Sequence, residues 1–221
     1  MKKNTYEVIE NVVKSAANKI MADEKLEALI KERYEICKKV VQALTGVDIS
    51  NIPLICESDL GKDGNHEQIA VYTCTVSQSY FAFSPKTYKG NDRIRVSLKT
   101  MKEYYGYCLL NTRILRMFID SALTHELFHA VDAHTGSTVF TENSMFEFGL
   151  SEKELYTDWR AYKALTSTIY KGVKSADRIL RKQTRLYVED FDKFEEGIPQ
   201  DRTYTAALET VKNSVTSHFI F

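Results

Sequence analysis

The sequence predicts an α+β fold that is mostly helical and contains a small, mainly antiparallel sheet. Two observations predict this class. Apolar residues recur every three or four positions over residues 1–46 and again from residue 111 onward, which is the period of an amphipathic helix. Residues 52–98 instead contain short β-rich runs separated by turn-forming residues. The sheet is therefore expected to precede a helical second half that begins with a helix at 111–135.

Length and composition predict a single domain that covers residues 1–221. The chain is 43% hydrophobic and contains only 9 Gly and 3 Pro, which suits one packed core. Its 30 Lys and Arg residues balance 30 Asp and Glu residues, so the formal net charge is zero. A nucleic-acid partner is not expected, because neutralising phosphates takes a surplus of basic residues on some face.

The first part of the chain predicts two helices and up to four strands. Helices at 5–21 and 24–44, the second ending at Gly46, would form an antiparallel pair within residues 1–46. In the sheet region 52–98, turn-forming residues separate candidate strands at 53–56, 68–75, 80–83 and 93–98. Three or four of these strands would form one sheet.

The second half of the chain predicts four helices. The helix at 111–135 carries a broad apolar face, with Asn111 or Thr112 as its N-cap and Gly136 beyond its end. Three C-terminal helices are expected within 151–218, at 152–170, 175–194 and 203–218. The charged run 174–185 alternates in sign, which is typical of a solvated helix face.

Several features predict a soluble, intracellular, cytoplasmic protein. The acidic residues within 1–25 are unlike a signal or transit peptide. The longest uncharged run, 69–85, is too polar to be a transmembrane segment. No Cys-x-x-Cys pair is present, so reduced thiols are expected at the four cysteines, which are Cys37, Cys56, Cys74 and Cys108.

The predicted helix at 111–135 contains the sequence His-Glu-Leu-Phe-His. His125 and His129 are four residues apart, so their imidazoles lie one turn apart on one face and can bind the same zinc ion. Glu126 lies one position further round, where its carboxylate can act as the general base on a water molecule at the metal. The alternative is that both histidines are ordinary polar residues at a helix edge. One Zn²⁺ ion is the expected cofactor.

A catalytic zinc site also needs a third protein ligand. Asp158 is the preferred candidate and Glu154 the alternative, and their spacing of four puts both carboxylates on one helix face. Glutamate is the more usual residue type, but Ser151-x-x-Glu154 also fits a capping box that would turn Glu154 back onto its own helix. The other acid could orient a ligand imidazole. His134 lacks the spacing of a third histidine and is expected instead to interact with the helix C-terminus.

From residue 123 to about residue 166 the chain resembles zincin metallopeptidases. The run His125-Glu-Leu-Phe-His129-Ala-Val-Asp132 is similar to the active helix of anthrax-lethal-factor-like and Pro-Pro endopeptidases. It is also similar to that of the mitochondrial inner-membrane proteases that process an ATP synthase subunit. That family is the most similar in plan, and its acidic element corresponds here to Asp158-Trp-Arg160-Ala161-Tyr162. The resemblance implies a zincin-like fold and, if it extends to location, the mitochondrial intermembrane space.

The function that this resemblance implies is a zinc-dependent endopeptidase acting on a protein or peptide. Zinc would be held by two histidines and a carboxylate, and Glu126 would pass a proton from water to the leaving amine. The second donor to the oxyanion is left open among Tyr156, Tyr162, Arg160 and His134. The substrate would lie along an exposed sheet edge, for which 93–98 is the candidate, although an ordinary half-buried strand fits equally well. The alternative function is a catalytically weak or inactive binding or regulatory module.

Overall fold

A computed structural model of the chain describes residues 11–12, 15, 22–63, 66–73, 92–107, 111–135, 152–185 and 191–192. The helices are α1 (Asp23–Thr45), α2 (Leu98–Tyr107), α3 (Thr112–Thr135), α4 (Glu152–Ser167) and α5 (Lys174–Arg181). The strands are β1 (Leu54–Glu57), β2 (Lys62–Asp63), β3 (His66–Glu67), β4 (Ala70–Thr73) and β5 (Arg93–Ser97). The predicted α+β class is confirmed. No helix in the described part of the chain combines the length and the apolar character that crossing a bilayer requires.

The main sheet has the order β1–β5–β4, so that β5 lies in the middle. β5 runs parallel to β1 and antiparallel to β4, and Ile94 of β5 lies between Leu54 and Tyr72. β2 and β3 form a separate antiparallel pair. The main sheet is therefore mixed rather than mainly antiparallel. The parallel pair is possible because β4, which runs in the opposite direction, lies between β1 and β5 in the chain.

Local residues determine where two of the predicted helices begin or end. α1 ends at Gly46, whose φ of +69° lies in the left-handed region that glycine adopts without strain. α3 begins after Asn111, whose side-chain oxygen accepts hydrogen bonds from the N–H groups of Arg113 and Ile114, both at 3.2 Å. Of the two expected candidates, Asn111 and Thr112, Asn111 is therefore the N-cap.

The other elements differ from the predictions in specific ways. The sequence patterns do not predict α2, because β5 runs straight into it with no turn-forming residue between them. Ser97 ends β5, and its hydroxyl accepts the N–H of Thr100 at 3.2 Å, as an N-cap does. α4 ends at Ser167 instead of residue 170, and α5 ends at Arg181, well before residue 194. The predicted elements at 5–21, 80–83 and 203–218 lie wholly or largely outside the described residues.

Helix α3 lies at the centre of the fold, packed against α1, α4 and β4. Its apolar face is fully buried in a core shared by the described elements, which includes Leu115, Leu123, Leu127 and Phe128 of α3, Leu26 and Ile30 of α1, Leu165 of α4 and Ile94 of β5. This burial determines which face of α3 remains for polar side chains, because the period of the helix separates the two faces.

Two charged contacts further fix α3. Asp120 is fully buried and accepts hydrogen bonds from Arg33 of α1 at 2.7 and 2.5 Å and from the Tyr170 hydroxyl at 2.6 Å. Near the other end of α3, Asp132 accepts two hydrogen bonds from Arg160 of α4, at 2.8 and 2.5 Å. The first contact joins α3 to α1 and to the segment after α4, and the second joins it to α4.

Candidate metal centre

His125 and His129 face one another on one side of α3. The spacing of four residues brings their Nε2 atoms to 2.9 Å, and the rings meet edge to face with centroids 4.6 Å apart. Both side chains are largely buried, with 12% and 14% of their surface exposed. The predicted juxtaposition of these imidazoles is therefore present in the structure.

Glu154 of α4 completes a cluster with the two imidazoles. Its Oε2 lies 3.2 Å from Nε2 of His125, and its Oε1 lies 3.2 Å from Nε2 of His129. These three residues form a group that could hold a metal ion. The spacing fits such an ion, because tetrahedral ligands at about 2.1 Å from zinc are separated by about 3.4 Å. Two imidazole nitrogens and a glutamate oxygen are also a donor set that zinc commonly uses.

Asp158 occupies a different position from the one expected of a third ligand. Its Oδ1 lies 2.8 Å from Nδ1 of His125, on the side of the ring away from the cluster. The sequence preference for Asp158 over Glu154 is therefore reversed by the geometry: Glu154 converges with both Nε2 atoms, and Asp158 orients one imidazole. The Glu154 carboxylate faces the histidines, and the capping box expected with Ser151 involves a residue outside the described ones.

Arg185 donates hydrogen bonds to both carboxylates, and sequence reasoning did not identify it. Its Nε and backbone N–H donate to Oδ2 of Asp158 at 2.9 and 3.1 Å. Its Nη2 donates to Oε2 of Glu154 at 3.2 Å and to Oδ1 of Asp158 at 3.3 Å. The alternating charges of 174–185 suggested a solvated face, and the pattern carries no signal that its last residue turns toward α4.

The electrostatics of the cluster favour a cation. Burial would lower the pKa of His125, but the carboxylates of Asp158 and Glu154 outweigh it and raise that pKa to about 10. Burial also opposes ionisation of Glu154, yet the two imidazoles hold its pKa well below the usual range. For Asp158, His125 and Arg185 overcome the effect of burial and lower its pKa to about 2. A site that stabilises positive charge on an imidazole provides the same field to a bound metal ion.

Glu126 lies beside this cluster and is held by the sheet. Its Oε2 accepts the backbone N–H of Tyr72 in β4 at 2.6 Å. Burial raises the pKa of Glu126, while the imidazoles and the Tyr72 N–H oppose that rise. A carboxylate with a raised pKa is better suited to accept and return a proton near neutral pH than an exposed one.

The strand beside the cluster is β4, and this corrects the predicted docking edge. The candidate 93–98 corresponds to β5, which is hydrogen-bonded to neighbours on both sides and so presents no free edge. Among the described strands, β4 lies at the edge next to α3. The N–H of Tyr72 points away from β5, since it donates to Glu126.

The residues left open as oxyanion donors have other contacts. His134 pairs with Asp92, and Tyr162 donates to Asp177 of α5. Arg160 binds Asp132 and lies over the rings of Phe128 and Tyr156, with its guanidinium carbon 4.7 Å from each centroid. Tyr156 is buried and stacked on Trp159. These contacts do not bring any of the four side chains to the metal cluster.

Comparison with known proteins identifies no relative of this chain. No protein-family model matches the chain, and no curated protein or solved structure matches it either.

Proposed function

We propose that the chain is a zinc-dependent endopeptidase in which His125, His129 and Glu154 hold one zinc ion. The observation that carries the proposal is the convergence of two imidazole Nε2 atoms and a glutamate carboxylate within 3.2 Å of one another. A further carboxylate, Glu126, comes from the position directly after the first histidine. A purely structural zinc site has no need of that extra carboxylate, because its four positions are filled by ligands.

Each residue has a separate role in this proposal. A zinc ion bound to the cluster would polarise the scissile carbonyl and acidify a water molecule. Glu126 accepts the proton of the attacking water and delivers it to the leaving amine. Asp158 holds the His125 ring so that Nε2, and not Nδ1, faces the metal. The resemblance of 123–166 to zincin metallopeptidases supports the same division of roles.

The edge of β4 supports a peptide as the substrate. An extended peptide can add to a sheet edge through backbone hydrogen bonds, which places its carbonyl groups at regular intervals along that edge. The edge groups of β4 lie beside Glu126, as the contact from the Tyr72 N–H indicates. A peptide bound there would have a backbone carbonyl close to the proposed metal.

Zinc content and cleavage of a mixed peptide library, followed by mass spectrometry, test the proposal. The wild type should contain about one zinc ion per chain and cleave a defined subset of peptides. Glu126→Gln should keep the zinc and lose cleavage by about a hundredfold or more, since general-base catalysis contributes that much. Glu35→Gln, an exposed change on α1, is the matched control and should behave as wild type.

Two results would contradict the proposal in different ways. Undiminished cleavage by Glu126→Gln would remove Glu126 as the general base. Zinc binding with no cleavage of any library peptide would favour the alternative function, a zinc-containing binding or regulatory module.

A further inference from the structure

We propose that Arg185 is a positioning residue of the metal centre. It holds Glu154 in the orientation that faces both histidines and Asp158 in the orientation that contacts His125. This inference rests on the proposed zinc site but not on the proposed peptidase activity. Arg185 would act through the two carboxylates, without contacting the metal.

The contacts of Arg185 engage both acids at once. Oδ2 of Asp158 accepts two hydrogen bonds from Arg185, one from the guanidinium Nε at 2.9 Å and one from the backbone N–H at 3.1 Å. Its other oxygen, Oδ1, faces His125 at 2.8 Å. Arg185 thus binds mainly Oδ2, while its Nη2 also donates to Oδ1 at 3.3 Å, so Oδ1 is shared between Arg185 and the imidazole.

The contact with Glu154 extends the same arrangement to a proposed metal ligand. Nη2 of Arg185 donates to Oε2 of Glu154 at 3.2 Å, the oxygen that also lies 3.2 Å from Nε2 of His125. Without this bond, the flexible Glu154 side chain, a third of which is exposed, could leave the histidines and turn into solvent. Arg185 therefore reduces the entropy that Glu154 loses when it binds a metal ion.

Charge supplies a second reason for an arginine at this position. Glu154 and Asp158 are four residues apart on α4, where like charges repel one another, and Glu126 adds a third carboxylate to the site. When both imidazoles are neutral, as metal binding requires, the guanidinium leaves the three carboxylates with two negative charges in excess, which a divalent cation would balance. A planar fork with several donors can bind both carboxylates simultaneously, whereas a lysine ammonium is a single point of charge.

The two possible roles of Arg185 predict opposite changes in zinc affinity when it is removed. The direction of that change therefore distinguishes them. If Arg185 acts only as a nearby positive charge, its removal should strengthen binding of a cation. If it positions the carboxylates, its removal should weaken binding, because partners of ligands contribute about tenfold to hundredfold to metal affinity.

The test is the zinc dissociation constant of the full chain, measured by competition with a chromophoric chelator. Arg185→Gln should bind zinc about tenfold to hundredfold more weakly than wild type. Arg185→Lys keeps the charge but loses the fork, and it should remain weaker than wild type. Arg178→Gln removes the same charge from an exposed position on α5 and is the matched control, with affinity expected within about twofold of wild type.

A second readout uses the metal-free protein and involves no zinc. Long-range ¹H–¹⁵N NMR spectra report which nitrogen of each imidazole carries a proton. In Arg185→Gln, the Nδ1 signal of His125 should broaden or shift as Asp158 loses its fixed orientation, while Arg178→Gln should give the wild-type spectrum. Far-UV circular dichroism verifies that each variant is folded.

The possible outcomes separate this inference from the proposed function. Unchanged or tighter zinc binding by Arg185→Gln overturns the inference and leaves the zinc site intact. Unchanged zinc binding with a raised KM would make Arg185 a substrate contact and also overturn it. A wild type that binds no zinc removes both the inference and the proposed function. Weaker binding by Arg185→Gln supports the inference even if the wild type cleaves no peptide.

Discussion

The Asp158 carboxylate lies 2.8 Å from Nδ1 of His125, while Glu154 lies 3.2 Å from Nε2 of the same ring. Two acids one helical turn apart therefore address opposite sides of one imidazole. In the proposed zinc site the two acids would have different roles, because an imidazole that donates Nδ1–H to a carboxylate can offer its Nε2 lone pair to the metal.

Substitution of the two acids should accordingly have unequal effects on zinc. Glu154→Ala removes a proposed ligand and should abolish stoichiometric zinc binding. Asp158→Asn should retain zinc with an affinity lowered by about tenfold to hundredfold, because it weakens only the partner of a ligand. Zinc titration of each variant measures the difference, and stoichiometric loss in Asp158→Asn with retention in Glu154→Ala would exchange the two roles.

The backbone N–H of Tyr72 should influence the pH dependence of cleavage. This donor opposes the rise in the pKa of Glu126 that burial causes, so its removal should raise that pKa further. Since a general base must be deprotonated to act, the acid limb of kcat/KM should move to higher pH in Tyr72→Pro. β4 is an edge strand and this N–H does not bind β5, so proline is compatible with the sheet.

Tyr72→Val is the control for that experiment, because it removes the aromatic side chain and keeps the N–H. Its acid limb should stay at the wild-type pH, as measured from complete pH profiles of kcat/KM. A limb that moves equally in both variants would assign the effect to the lost aromatic ring.

The parts of the site that could be predicted are those encoded within one helix. His125, Glu126 and His129 follow each other on α3, so helical geometry alone places their side chains. Choosing between Glu154 and Asp158 instead depends on how α4 approaches α3. The spacing in sequence puts both acids on one face, and it carries no information about which of them the neighbouring helix meets.

The fold shows the same division between local and tertiary information. Periodicity predicts α1, α3 and α4 well, because each buries a regular apolar stripe. The position of β5 in the centre of the sheet depends on pairing with β1, a strand far earlier in the chain. Arg185 likewise lies 27 residues from Asp158 in sequence, and no local pattern connects them.

Breaking the buried contact between Arg33 and Asp120 should strongly destabilise the fold. Asp120→Ala leaves the Arg33 charge buried without its carboxylate and should lower the free energy of unfolding by about 3–5 kcal/mol. Arg33→Met combined with Asp120→Leu should recover most of that loss, since it removes both charges and retains volume. Urea unfolding of the single and double variants measures this coupling, and additive losses would contradict it.

The contact between Asp132 and Arg160 should link the stability of the fold to the quality of the metal site. Arg160→Lys cannot form both hydrogen bonds, which are 2.8 and 2.5 Å long, and it loses the planar stacking over Phe128. The expected cost is about 2 kcal/mol in the free energy of unfolding, as for other bonds to charged groups.

The same change should also weaken zinc binding, although Arg160 binds Asp132 and not the cluster. Arg160 holds α4 against α3, and Glu154 reaches the histidines only if α4 keeps that position. Lys163→Ala is the control, because it changes another basic residue of the same helix, whose ammonium lies over the Trp159 ring. Thermal unfolding and zinc titration in parallel should show a joint loss for Arg160→Lys and near-wild-type zinc affinity for Lys163→Ala. A loss of stability with unchanged zinc affinity in Arg160→Lys would mean that the contact with Asp132 supports the core alone.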